Sequence, residues 1–103
     1  MSNAHQQAVR DAAVKNKEGL HARPVMSFVD VALRYRSTIT VKNTTRRGDA
    51  VDGKSAMQMM LLEATMGCVL RISACGDDAV EAADALAELV ESGFDQALKA
   101  DSE

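Results

Sequence analysis

Aromatic side chains are scarce in this chain of 103 residues, which has one tyrosine, two phenylalanines and no tryptophan. Few rings are available to stack on bases, and a net charge of -3 argues against a protein that holds a phosphate backbone, so nucleic acid is not an expected partner. Cysteine is equally sparse. Cys68 and Cys75 lack CxxC spacing and further cysteine partners, so neither a disulfide scaffold nor a zinc site follows; both are expected as core or partly buried thiols. The only histidines, His5 and His21, stand far apart, and no metal and no cofactor is expected. No apolar run approaches the ~20 residues of a membrane span, and the polar start MSNAHQQAVR lacks the apolar region of a signal peptide. A cytoplasmic monomer without membrane insertion is expected.

What is present is the balance of an ordinary globular chain, 47% hydrophobic and 26% charged. No internal repeat or linker divides it, so one domain is expected over 1–103, with a core of about 8–95 and frayed termini. Charge is uneven. Residues 1–54 hold ten basic and five acidic residues, net +5, and residues 55–103 come to net -8. A basic face for an acidic or phosphorylated partner would produce this pattern, and so would a solvated surface with no such role.

Hydrophobic periodicity predicts the order β-α-β-β-α-β-α. A strand over 8–14 places Ala8, Ala12 and Val14 on one side. From Ala22 to Arg36, Val25/Met26, Phe28/Val29 and Ala32/Leu33 recur at helical spacing, with Ser27, Asp30 and Arg34 opposite. Residues 38–42 alternate as a one-sided strand, a polar loop follows over 43–49, and 50–52 form a short strand. Ser55 and Gln58, three apart like a capping box, start a helix whose stripe is expected to be Met57, Met60, Leu61 and Ala64, with Gly67 as its stop. Residues 68–74 alternate again, and Asp77 and Asp78 open a last helix with Val80, Ala83, Ala87 and Val90 as its buried stripe, closed by Gly93. One-sided strands and three amphipathic helices imply an α+β fold: a four-stranded, mostly antiparallel sheet with helices on one face. Element order alone does not separate this from a ferredoxin-like fold carrying an extra helix.

The segment Gly19-Leu20-His21-Ala22-Arg23-Pro24 places an imidazole just before a helix. First-turn amides have no intrahelical partner, so those of Ala22 and Arg23 are free to bind an anion beside His21, where the helix dipole favours negative charge. A phosphoryl group suits that place. Pro24 has no N–H to lose there and its fixed φ suits a helix start, but it restricts Arg23 away from α geometry. The positive helix end favours a neutral imidazole with one ring nitrogen available as a nucleophile, and Arg23 adds planar donors for phosphate oxygens. The alternative at this point is that His21 only caps the helix and Arg23 is surface decoration. No other spacing points to hydrolytic catalysis.

NKEGLHARPV, then VDGKSAMQMMLL about 30 residues later, then RISACGDDAVEAADALAELVESGF, together resemble HPr, the histidine-containing phosphocarrier family of the bacterial phosphoenolpyruvate-dependent phosphotransferase system. The resemblance covers roughly 8–95 and implies an open-faced β-sandwich. By position it makes His21 the phosphorylated histidine, modified at Nδ1 by enzyme I, Arg23 the adjacent arginine, and Ser55 the serine that an HPr serine kinase modifies in many members. It further implies that the group passes on to the A domain of a sugar permease complex, and that the helix bearing Met57 and Met60 is a docking surface. Such a protein carries a phosphoryl group and turns over nothing by itself. The chain departs from the family in a turn about three residues longer, which adds Arg46 and Arg47, in Ala56 after the regulatory serine, and in Gln58 and Glu63. Its ESGFDQ ending resembles the nitrogen-regulatory branch, so a nitrogen-branch or regulatory protein signalling through phospho-Ser55 is the alternative.

Overall fold

A computed structural model describes residues 6–94; His5 and the expected core end at Asp95 lie outside them. The elements are β1 (Gln6–Ala13), α1 (Ala22–Ala32), β2 (Thr38–Asn43), β3 (Val51–Asp52), α2 (Ala56–Met60), β4 (Val69–Gly76) and α3 (Ala79–Glu91). The four strands form one sheet in the order β1-β4-β2-β3, and every pairing is antiparallel. This is the antiparallel sheet with helices on one face expected from the one-sided strands, in the open-faced sandwich that the family resemblance implies.

Register shows why one face is buried. Ala8, Ala74 and Ile39 form one row across β1, β4 and β2, and Ala12, Leu70 and Asn43 form another. Ile72 and Val41 stand between them, and all eight residues are buried. The helices cover this face, with Phe28 and Val25 of α1, Met59 of α2, and Leu86, Leu89 and Val90 of α3 as their largest buried side chains. Side chains of the intervening parity, among them Asp11, Lys42, Arg71 and Cys75, are exposed on the other face, where Arg71 pairs with Asp11 at 2.9 Å. Cys68 is buried as expected, whereas Cys75 belongs to that open face.

Two helices end earlier than their apolar spacing predicts. α1 stops at Ala32, and the amides of Arg34 and Tyr35 turn back to Val31 and Ala32 instead of extending the helix to Arg36. α2 has five residues instead of running to Met66. Its continuation is broken because carbonyls that would accept the next helical bonds serve other segments: Leu62 O accepts from Asn43 Nδ2 at 3.0 Å and Ala64 O from Leu20 N at 2.9 Å. Glu63 takes a left-handed φ of 49° between them.

The phase of α2 also differs from the expected stripe. Met59 is fully buried, while Met57 is 80% exposed and Leu61 71% exposed. In a run as apolar as MQMMLL, hydrophobicity does not mark one face, and the packing of Met59 and Leu62 decides it. In α3, Ala79, Ala82 and Leu86 replace Val80 in the buried stripe, since Val80 points outward. Two exposed side chains of α3 tie it to β1: Glu91 Oε2 accepts from Ala13 N at 2.7 Å, and Asp84 pairs with Arg10 at 2.7 Å.

Candidate functional site

The loop between β1 and α1 is held from both sides. Asn16 Nδ2 donates to Gly19 O at 2.7 Å and Gly19 N to Asn16 O at 3.1 Å, closing a tight turn in which Gly19 has φ +69°. Only glycine fits there without strain, and a Cβ on Gly19 would also lie 2.8 Å from Thr65 Cα. The Leu20–Ala64 bond, with the close backbone approach that the missing Cβ permits, seats the loop against the segment following α2. His21 therefore leaves a fixed base.

His21 is the N-cap of α1, in extended conformation, and its side chain makes no capping hydrogen bond. This removes the reading in which the imidazole merely caps the helix. The ring is 47% exposed and its Nε2 lies 3.1 Å from Glu18 Oε1. Among the described residues, no group hydrogen-bonds Nδ1 or the amides of Ala22 and Arg23. Two free N–H groups and the positive end of an eleven-residue helix thus adjoin an exposed imidazole, and the first turn holds no acidic residue. Arg23 is exposed, forms no ion pair among the described residues, and lies within the helix instead of the extended geometry favoured before proline. The arrangement provides a nucleophilic nitrogen, backbone donors and a free guanidinium in one short segment, the set needed to receive a small dianion.

The remaining expected residues lie on α2. Ser55 is its N-cap and accepts from Gln58 N at 3.2 Å. The reciprocal half of the expected box is missing: Gln58 Oε1 instead accepts from Asp52 N at 3.0 Å, while Ser55 N donates to Asp52 O at 3.1 Å. Met57 and Met60 are exposed, so they do not fill the core; Leu61 and Met66 are exposed as well. α2 packs on α1, whereas no hydrogen bond joins Ser55 to His21 among the described residues. Glu18 escaped the sequence reading because its segment reads as a polar loop; the available signal was an acid three positions before the histidine, where a tight turn brings both side chains together.

Residues 8–92 match the family model described as PTS HPr component phosphorylation site. The phosphocarrier protein NPr of Proteus mirabilis is 39% identical over 87 residues, covering 84% of this chain and 94% of the relative. The phosphocarrier protein HPr of Borreliella burgdorferi is 42% identical over 83 residues, covering 81% and 93%. A multiphosphoryl transfer protein of Haemophilus influenzae is 35% identical over 104 residues, and the chain spans only 21% of that longer protein. Among solved structures, HPr-C-His from Thermoanaerobacter tengcongensis superposes with a TM-score of 0.79 at 40% identity, covering 86% of this chain and 97% of the other. With matching sequence, matching fold and an exposed histidine at the matched segment, the chain belongs to the HPr family of phosphocarrier proteins.

Proposed function

We propose that this protein accepts a phosphoryl group on Nδ1 of His21 from enzyme I, which draws it from phosphoenolpyruvate, and passes it to the A domain of a sugar permease complex. The observation that carries the reading is the exposed His21 ring at the open N-terminus of α1, beside the amides of Ala22 and Arg23, which have no partner among the described residues. Those donors stabilise a dianion on the ring without enclosing it, which suits a group that must move on to another protein. Arg23 orients the phosphoryl oxygens through its planar fork. Met57 and Met60, exposed on α2, are the docking surface for enzyme I and the acceptor, because flexible thioethers re-pack against different partners. Ser55 at the start of α2 is where an HPr serine kinase would add a charge that weakens docking.

The test is incubation with enzyme I and phosphoenolpyruvate, followed by mapping of the label. Acid-labile label on His21, absent from His21→Ala, is expected; undiminished label in the variant overturns the assignment. A nitrogen-branch role is the second reading, favoured by the similarity to an NPr over 84% of this chain. Transfer to a nitrogen-branch acceptor in preference to a sugar permease domain would establish it.

A further inference from the structure

We propose that Glu18 is a positioning residue for phosphoryl transfer: its carboxylate holds the proton on Nε2 of His21, leaving Nδ1 as the nucleophilic nitrogen and fixing the direction in which it faces. The inference deepens the function proposed for His21 and rests on it. Glu18 Oε1 lies 3.1 Å from His21 Nε2. An ionised carboxylate only accepts hydrogen bonds, so Nε2 is the donor and carries the proton; in the neutral ring, Nδ1 then keeps its lone pair. Nδ1 has no partner among the described residues, so the lone pair is available.

The pair is set by the backbone. The bonds between Asn16 and Gly19 close the turn that carries Glu18, His21 N donates to Gly19 O at 3.2 Å, and the Leu20–Ala64 bond anchors the next residue. Glu18 and His21 therefore project from a turn whose geometry does not depend on either side chain. Orientation of an imidazole by a carboxylate on its second nitrogen is the device by which histidines are held toward metals and hydroxyl nucleophiles, applied here to a phosphorus atom.

The step balances without a further reactant. The Nδ1 lone pair forms the new N–P bond while the bond from phosphorus to the leaving atom of the phosphorylated donor protein breaks, its electron pair returning to that atom. The proton on Nε2 stays in place, so the ring becomes cationic as it is phosphorylated, with the Glu18 carboxylate against it. Because Glu18 contacts the nitrogen away from the reacting one, its charge meets the developing cation on the ring and not the incoming dianion.

The experiment compares wild type, Glu18→Ala and Glu18→Gln, each 15N-labelled at histidine, by ring-nitrogen NMR of the unphosphorylated protein and by single-turnover transfer from phosphorylated enzyme I. The Glu18 side chain is 78% exposed, so its truncation leaves the fold intact. Wild type should show widely separated Nδ1 and Nε2 shifts, as one tautomer gives. In Glu18→Ala the shifts should move together and the transfer step slow about three- to fivefold, with the half-saturating concentration unchanged. Glu18→Gln, whose amide oxygen still accepts from Nε2, should keep the shift separation. Equal separation in wild type and Glu18→Ala, or equal transfer rates, overturns the role of Glu18. Failure of wild type itself to take up a phosphoryl group overturns the proposed function instead.

Discussion

Asp78, just before α3, reaches back across the fold to Ser37 at the start of β2: its Oδ1 accepts from the Ser37 hydroxyl at 2.6 Å and from the Ser37 amide at 3.0 Å. Its Oδ2 accepts from Arg36 N at 2.9 Å. The residue whose acidity favours a helix start thus spends its side chain on the strand, and makes no capping bond to its own helix.

These bonds, the Ser37 hydroxyl foremost, lower the pKa of Asp78 below the usual carboxylate value, and the Ala13 amide with Lys15 does the same for Glu91. A carboxyl group whose folded pKa is depressed adds stability above its unfolded pKa and loses it as pH falls through the folded one. Thermal unfolding followed from pH 7 downward should therefore show a constant midpoint to about pH 5 and a decline below about pH 4. Asp78→Asn should be less stable at pH 7 and show a shallower acid decline.

Met59→Ala should cost about 2–5 kcal/mol, the range for emptying a buried methionine site, while Met57→Ala should stay within about 0.5 kcal/mol of wild type. Denaturant unfolding of the two variants decides between the observed phase of α2 and the stripe expected from spacing. Similar losses for both would contradict the packing described.

The difference between those methionines marks where the sequence is legible. Strands with one wet face carry their phase in every second residue, so Ala8, Ala12 and Val14, or Leu70, Ile72 and Ala74, are readable without a partner. α2 lies in a run with no polar face, and its end depends on Asn43 and Leu20, residues distant in sequence that claim its following carbonyls. The site divides in the same way. His21 before a helix is local information, whereas the contact with Glu18 requires the turn at Gly19, and the seat against Ala64 and Thr65 requires the tertiary fold.

Gly19→Ala should destabilise the fold by about 1–3 kcal/mol, since it imposes a left-handed φ on a residue with a Cβ and drives that Cβ into Thr65. Phosphoryl acceptance should fall as well, because the base of His21 shifts. Unfolding midpoints and initial transfer rates measured on one preparation check both outcomes, and an unperturbed protein would show that the close approach relaxes freely.

Arg23→Lys keeps the charge and loses the planar fork, so transfer should slow about tenfold, the equivalent of one charge-assisted hydrogen bond of roughly 1.5 kcal/mol. Rapid-quench comparison with wild type measures this. Equal rates would mean that Arg23 contributes charge alone.

Ser55→Asp should raise the concentration of this protein needed for half-maximal transfer from enzyme I by about tenfold, a change of roughly 1.4 kcal/mol. The fold should persist, because an anion at the start of α2 meets the positive end of the helix and the side-chain oxygen that accepts from Gln58 N is retained in kind. An unchanged concentration, together with no modification by a cognate kinase, would leave Ser55 as a helix cap.

The ties between β1 and α3 bear on how open the edge of the sheet is to another strand. β1 is an eight-residue strand at the rim of the sheet, a length that invites a further strand to add to it. Glu91 occupies the Ala13 amide and the Arg10 guanidinium donates to Val9 O at 2.9 Å. A foreign strand must displace a carboxylate and a guanidinium before it can pair along this rim, so the side chains that fasten α3 also obstruct strand addition at this edge.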